Sequence, residues 1–373
     1  MGSVNTRIGL VISATLLGLN LPLGDAIDRT FLAREDRGQV LAQSAIDSNA
    51  PPPDFTGAPP PPGGDPLPPE RIRREVEPLP KDYRVPALQA DYTGDLWIGS
   101  WLGLARINPN SGRVMTRVAL PNYTIGALAQ DRVGRIWVGT YEGLLRVDPR
   151  SNEVTAQNFT LPSNRVLSLL VDRRGYLWVG SDRGLTLISP DQGLLMTTLQ
   201  KLPGVSANAL TLDKDGQLWV GTLEGLVSVD TASAFVNGRI SDIPGTIVQT
   251  LTTGPDGMLW AGTPNSLLVI DPQTREVLRS VTPLRGRNVT SVRFALDGSV
   301  WVGTENGLLK IRAETGALLG EIPNLPSNHI MSLSPDTGNK LWVGTTEGLA
   351  WVSLSTGQVR PHFAFVKEPP ETF

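Results

Sequence analysis

The chain has 373 residues, 40% of them hydrophobic, and a formal net charge of −3. It can bury a large core, but it has no global excess of positive charge with which to neutralise a phosphate backbone, so nucleic acid is not an expected partner. Cysteine is absent and only His329 and His362 supply imidazole, which excludes disulfides, thiolate metal sites and thiol nucleophiles, leaves a triad or His-rich metal site to one of two residues, and gives no reason to expect a cofactor.

In chain order, residues 1–5 carry no acid, Arg7 is positive, and residues 8–23 (IGLVISATLLGLNLPL) are apolar apart from Ser13, Thr15 and Asn20. This is the layout of a charged n-region and an apolar h-region. The run is shorter than the ~20 residues of a spanning helix and holds Pro22. Residues 1–26 are therefore expected to be a signal peptide cleaved after Ala26, or else an N-terminal anchor; membrane contact is expected only if the segment stays uncleaved. Residues 27–69 are expected to form a disordered proline-rich linker. Its PPP, PPPP and PGG stretches favour extended polyproline conformation and cannot build a core.

From residue 70 to 373 a single repeat dominates. Tryptophan recurs at Trp97, Trp137, Trp178, Trp219, Trp260, Trp301 and Trp342, spaced 40 and then five times 41 residues apart. A unit of this size holds four short strands, so the expected fold is all-β: one seven-bladed β-propeller of four-stranded blades, preceded by the signal-like helix and the linker. In the third unit, residues 165–171 read as strand a, 176–181 as b, 184–189 as c and 194–199 as d. A glycine such as Gly175 closes the a-to-b turn, where positive φ is cheap only for glycine. Strands a and b are nearly continuous apolar runs, as expected of a sheet covered on both faces by its neighbours. The motif tryptophans are assigned to filling the gap between blades. The glycine two positions after each, Gly99 through Gly344, is assigned to close approach of the next blade. For ring closure the sequence offers two outer strands, residues 358–366 and residues 74–80.

The phrase D-x-x-G-x-L-W-[VI]-G-[TS]-x-x-G-L, repeated seven times, closely resembles the two-component regulator propeller repeat of the periplasmic sensor halves of bacterial hybrid histidine kinases. The resemblance implies a bacterial, exported propeller, periplasmic or extracellular, that recognises a ligand, commonly a glycan. A weaker resemblance is to the streptogramin lyases, whose repeats share a G-x-[IL]-W core. That family implies catalytic histidines, a glutamate and Mg²⁺ on the channel face, a set that His329 alone does not match.

With strand a lining the channel, the b-to-c loops and d-to-a connections share one face, and there the residues differ from blade to blade. Candidate ligand-binding residues are Trp101, Tyr123, Tyr141, Glu142, Asn164, Asp182, Arg183, Glu224, Arg287, Glu305, Asn306, Asn328 and Glu347. Trp101, Tyr123 and Tyr141 suit a sugar, which stacks on aromatic faces and bonds to nearby carboxylates and amides. No catalytic or metal-ligating residue is assigned. The expected function is non-catalytic recognition of a glycan or an envelope protein. Two alternatives stay open: a lyase or hydrolase using Glu142, Glu224, Glu305 or Glu347 with a divalent cation, and an envelope assembly scaffold.

Overall fold

In a computed structural model of the chain, residues 82–158 and 161–366 are described. The expected signal peptide and linker and the 74–80 segment lie outside these residues. Seven four-stranded antiparallel sheets follow one another, each made of four consecutive strands in the order a, b, c, d. In blade three these are Val166–Val171, Leu177–Ser181, Gly184–Ser189 and Leu194–Leu199, within a residue of the boundaries its apolar runs predict. Strand a of each blade packs against strand a of the next, and the first against the seventh, so the sheets close into a ring around a central channel.

Blade seven takes its outer strand from Val359–Val366, which settles the closure in favour of the later segment. Blades one and seven are then joined directly. The Val85 N–H donates to Thr345 O at 3.0 Å, and the Ser332 hydroxyl donates to Val85 O at 2.8 Å. On the rim, the Lys340 ammonium donates to Pro109 O at 2.7 Å and Asn110 O at 2.9 Å.

The motif tryptophans are between 0% and 3% exposed and pack between blades as assigned. Burying an indole N–H needs an acceptor, and blades one to four supply it from the start of the phrase. Trp97, Trp137, Trp178 and Trp219 donate Nε1–H to Asp91, Asp131, Asp172 and Asp213 at 3.0 to 3.1 Å. The second carboxylate oxygen accepts two N–H groups of the a-to-b turn, in blade four those of Asp215 and Gln217, both at 2.9 Å. One aspartate thus ties the turn to the inter-blade tryptophan. In blade seven Trp342 uses the Thr337 carbonyl instead.

The glycines two positions after each tryptophan meet the residue that leads into strand a of the next blade. A Cβ on Gly139, Gly221 or Gly303 would lie 2.5 to 2.6 Å from the side chain of Val166, Val248 or Ile330. At Gly180 and Gly344 it would lie 2.4 and 2.3 Å from the backbone oxygens of Ala207 and Val85. Close approach of blades is therefore the reason for these glycines. The expectation for strand a needs a correction. Strand b is buried along almost its whole length, whereas residues such as Leu167 and Leu169 are only half-buried. Strand a borders the channel, so part of each inner strand faces open space.

His362, on the outer strand of blade seven, is a ring-closing residue. It is 4% exposed, lies 6.0 Å from Trp342 between ring centroids, and shares a 2.7 Å hydrogen bond with Gly112 O of blade one. Nδ1 accepts the Ala364 N–H at 3.3 Å, so the Nε2–H tautomer of the neutral ring fits both partners. Burial pushes its pKa below the ordinary histidine value, against the opposing pull of the Gly112 carbonyl. The unfolded chain consequently binds this proton more readily than the folded one, and stability falls as pH drops below about 6.5 and on through the lower folded pKa. We expect the melting midpoint of the wild type to fall more steeply between pH 7.5 and 5 than that of His362→Gln. Parallel curves would remove the histidine from the account.

Candidate ligand-binding site

A Ser or Thr three residues after each motif tryptophan shapes the b-to-c loops. In blade two the Thr140 hydroxyl donates to Gly143 O at 2.8 Å and accepts the Glu142 N–H at 3.1 Å. The same pair of bonds recurs at Thr222, Thr304 and Thr345. The hydroxyl fixes the backbone, so the two residues between it and the glycine vary without loss of the turn. These loops meet the d-to-a connections on one face: Tyr141 N–H donates to Thr124 O at 2.9 Å and Thr346 N–H to His329 O at 3.2 Å.

On this face Trp101, Tyr123 and Tyr141 line one cavity of about 150 Å³, together with Asp82, Arg84 and Met331. The three aromatics expected to form a sugar surface are therefore brought together at the junction of blades one and two. Tyr83 meets the Trp101 ring edge-on at 5.3 Å, and the Arg165 guanidinium lies 4.8 Å from the Tyr141 ring centroid. Trp101 Nε1 is buried and has no hydrogen-bond partner among the described residues. Asp82 and Arg84 form an ion pair, with Arg84 Nε at 2.9 and 2.8 Å from the two carboxylate oxygens. The Arg84 guanidinium holds the Asp82 carboxyl below its ordinary pKa, and Asp82 raises that of Arg84. Asp82, Tyr83 and Arg84 stand one period before Asn122, Tyr123 and Thr124, at the entry to blade one, and were not among the expected site residues.

The other candidates are dispersed around the face. Glu142 accepts the Thr124 N–H at 2.8 Å beside the cavity. Glu224 pairs with Arg239 at 2.9 Å and Arg287 with Glu321 at 3.2 Å. Glu305 accepts from Asn288 Nδ2 at 2.6 Å. Arg183, Asn306, Asn328 and Glu347 are exposed, and Asn164 and Asp182 each keep a buried oxygen without a partner. None of these ten lines the aromatic cavity. Among the described residues no three His, Asp or Glu side chains converge as metal ligands, and no helix is long and apolar enough to cross a membrane.

Fold and repeat define a seven-bladed β-propeller whose variable loops gather on one face. Residues 119–142, 160–183, 201–224 and 324–347 match the family model described as two component regulator propeller. Three solved structures share the fold. The extracellular domain of B. thetaiotaomicron BT3049, described as a hybrid two component system, is 20% identical with a TM-score of 0.60, covering 74% of this chain and 39% of its own. That of B. thetaiotaomicron BT4673, described as a one component system, is 21% identical with a TM-score of 0.55, covering 74% of this chain and 41% of its own. Virginiamycin B lyase from Staphylococcus aureus is 15% identical with a TM-score of 0.61, covering 72% of this chain and 93% of its own. The chain thus spans about two fifths of the two extracellular domains. No curated protein sequence matches it.

Proposed function

We propose that the protein is an exported, non-catalytic recognition propeller that binds a glycan at the cavity between blades one and two. The observation that carries this reading is the convergence of Trp101, Tyr123 and Tyr141 on one cavity, which the Asp82–Arg84 pair also lines. Aromatic faces accept the C–H face of a pyranose, and the carboxylate and guanidinium offer hydrogen bonds to its hydroxyls. The likeness to the extracellular domains of BT3049 and BT4673 favours placement outside the cytoplasm. Binding is preferred over acid–base chemistry because Glu142, Glu224 and Glu305 are engaged by a backbone N–H, an arginine and an amide respectively.

The test is a glycan array followed by calorimetry on the hit, comparing the wild type with Trp101→Ala and Tyr141→Ala. Each substitution is expected to weaken binding about tenfold or more, corresponding to ~1.4 kcal/mol, at unchanged melting midpoint. Binding that survives both substitutions would move the site elsewhere.

A further inference from the structure

The seven inner strands contain one charged residue. Arg293 lies on strand a of blade six, Val289–Phe294, directly opposite Trp301. The residues opposite the other motif tryptophans are Gln89, Ala129, Leu170, Thr211, Thr252 and Ser334. Every other blade therefore builds this position from a neutral side chain, and the propeller does not need an arginine there.

Nor does the structure give Arg293 a partner. Its only side-chain hydrogen bond among the described residues runs from Nη1 to the carbonyl of its neighbour Val292, at 2.9 Å, and it enters none of the ion pairs found there. The side chain is exposed and lines a channel cavity of about 200 Å³. Enclosure by the surrounding blades lowers its pKa from the ordinary arginine value, with no neighbouring charge contributing. Arginine nevertheless stays protonated, so a fixed positive charge with four spare N–H donors faces the cavity.

Three of the hydroxyls around it are committed elsewhere: Ser168, Thr290 and Ser332 donate to the carbonyls of Ala207, Ile330 and Val85 in the adjoining blades. Gln249, Thr250 and Ser291 also line the cavity. The channel thus presents a cation with no ion-pair partner among the described residues, set in a polar lining. A ligand complementary to both carries an anion and a hydroxyl group.

We propose that the central channel is an anion site in which Arg293 receives the carboxylate of a small hydroxylated acid. The planar guanidinium fork matches a carboxylate bidentately. The acid comes either as a free hydroxy acid or as the acidic group of a uronic sugar. This site is separate from the aromatic cavity and does not rest on the glycan reading.

The experiment follows the melting midpoint of the full chain with sodium glycolate, sodium glucuronate, glucose and sodium chloride at matched ionic strength. It is repeated with Arg293→Thr and Arg293→Gln, which install the residues that blades four and one hold at this position. The wild type is expected to show a saturable rise of roughly 4 °C with glycolate or glucuronate and none with glucose or chloride. A response to glycolate assigns the free acid, and one to glucuronate alone assigns the sugar acid. Both variants should lose the rise. A wild type without a saturable rise in either acid overturns the proposal. So do variants that respond as the wild type does.

Discussion

Gly344→Ala is expected to destabilise the propeller by about 3 kcal/mol or more, the upper range of overpacking. Gly344 sits where blade seven meets blade one, and its new Cβ would lie 2.3 Å from Val85 O and 2.3 Å from Ser332 Oγ. Neither obstacle can swing aside. The carbonyl belongs to the chain entering strand a of blade one, and it already accepts the Ser332 hydroxyl at 2.8 Å. Relief would require the first and seventh blades to part, which also strains the 3.0 Å Val85–Thr345 bond. Gly221→Ala provides the comparison. There the nearest atom is a methyl of Val248 at 2.6 Å, with backbone no closer than 3.3 Å. Rotamer change and small shifts can absorb part of that clash, so a loss nearer 1 to 2 kcal/mol is expected. Denaturant unfolding of the two variants checks the order. Equal losses would mean that the closing interface is no stiffer than an internal one.

The architecture was largely legible in the sequence because a propeller writes its period into the chain. Each blade needs the same tryptophan and the same close-approach glycine, and six of the seven share the turn glycine, which Asn339 replaces in blade seven, so the copies sufficed to count blades and to place strands such as Leu194–Leu199. The aromatic cavity was half legible. Trp101, Tyr123 and Tyr141 stood out as departures from the repeat, while Asp82, Tyr83 and Arg84, one period before Asn122, Tyr123 and Thr124, lie at the entry to blade one, where the open question of ring closure hid their equivalence. Three features depended on geometry. The aspartate opening the phrase was visible, but its bond to the tryptophan six residues later needs the folded turn. Ring closure offered two candidates of similar pattern. Arg293 differs from its six counterparts, yet a single charge in a strand run reads as an edge or a surface until the strand is known to line a channel.

The repeat also predicts the effect of removing and adding its buried carboxylate. Asp213→Ala should cost about 3 kcal/mol. Asp213 is 4% exposed and accepts three donors, the N–H groups of Asp215 and Gln217 at 2.9 Å and Trp219 Nε1 at 3.0 Å. Truncation leaves an interior indole N–H and two turn amides without that acceptor, and one buried orphan alone costs about 1 to 3 kcal/mol. Blades five and six lack the aspartate and carry the corresponding defect, since Trp260 and Trp301 Nε1 are buried without partners. The two are not equally repairable. At Gly254 a side chain would meet Asp256 Oδ1 at 2.5 Å and the Phe294 ring at 3.0 Å, and that ring already packs edge-on against Trp260 at 5.4 Å. At Ala295 a Cβ is in place, and the turn has the hydrogen bonds of blade four: Ala295 N–H to Ser299 O at 2.9 Å and Gly298 N–H to Ala295 O at 3.0 Å. A second carboxylate two residues on is no obstacle, because blade four accommodates Asp215 beside Asp213 in the same turn. Ala295→Asp is therefore expected to stabilise the protein by about 1 kcal/mol through the Trp301 bond. Asp297 weighs against a larger gain, for it already accepts the Ser299 N–H at 2.9 Å, and its bonds from Lys310 and Ser299 hold its carboxyl down at about 2. Chemical denaturation of Asp213→Ala and Ala295→Asp measures both effects. A stabilisation by the second, opposite in sign to the loss by the first, would establish the carboxylate–indole bond, and not the turn alone, as what the repeated aspartate contributes.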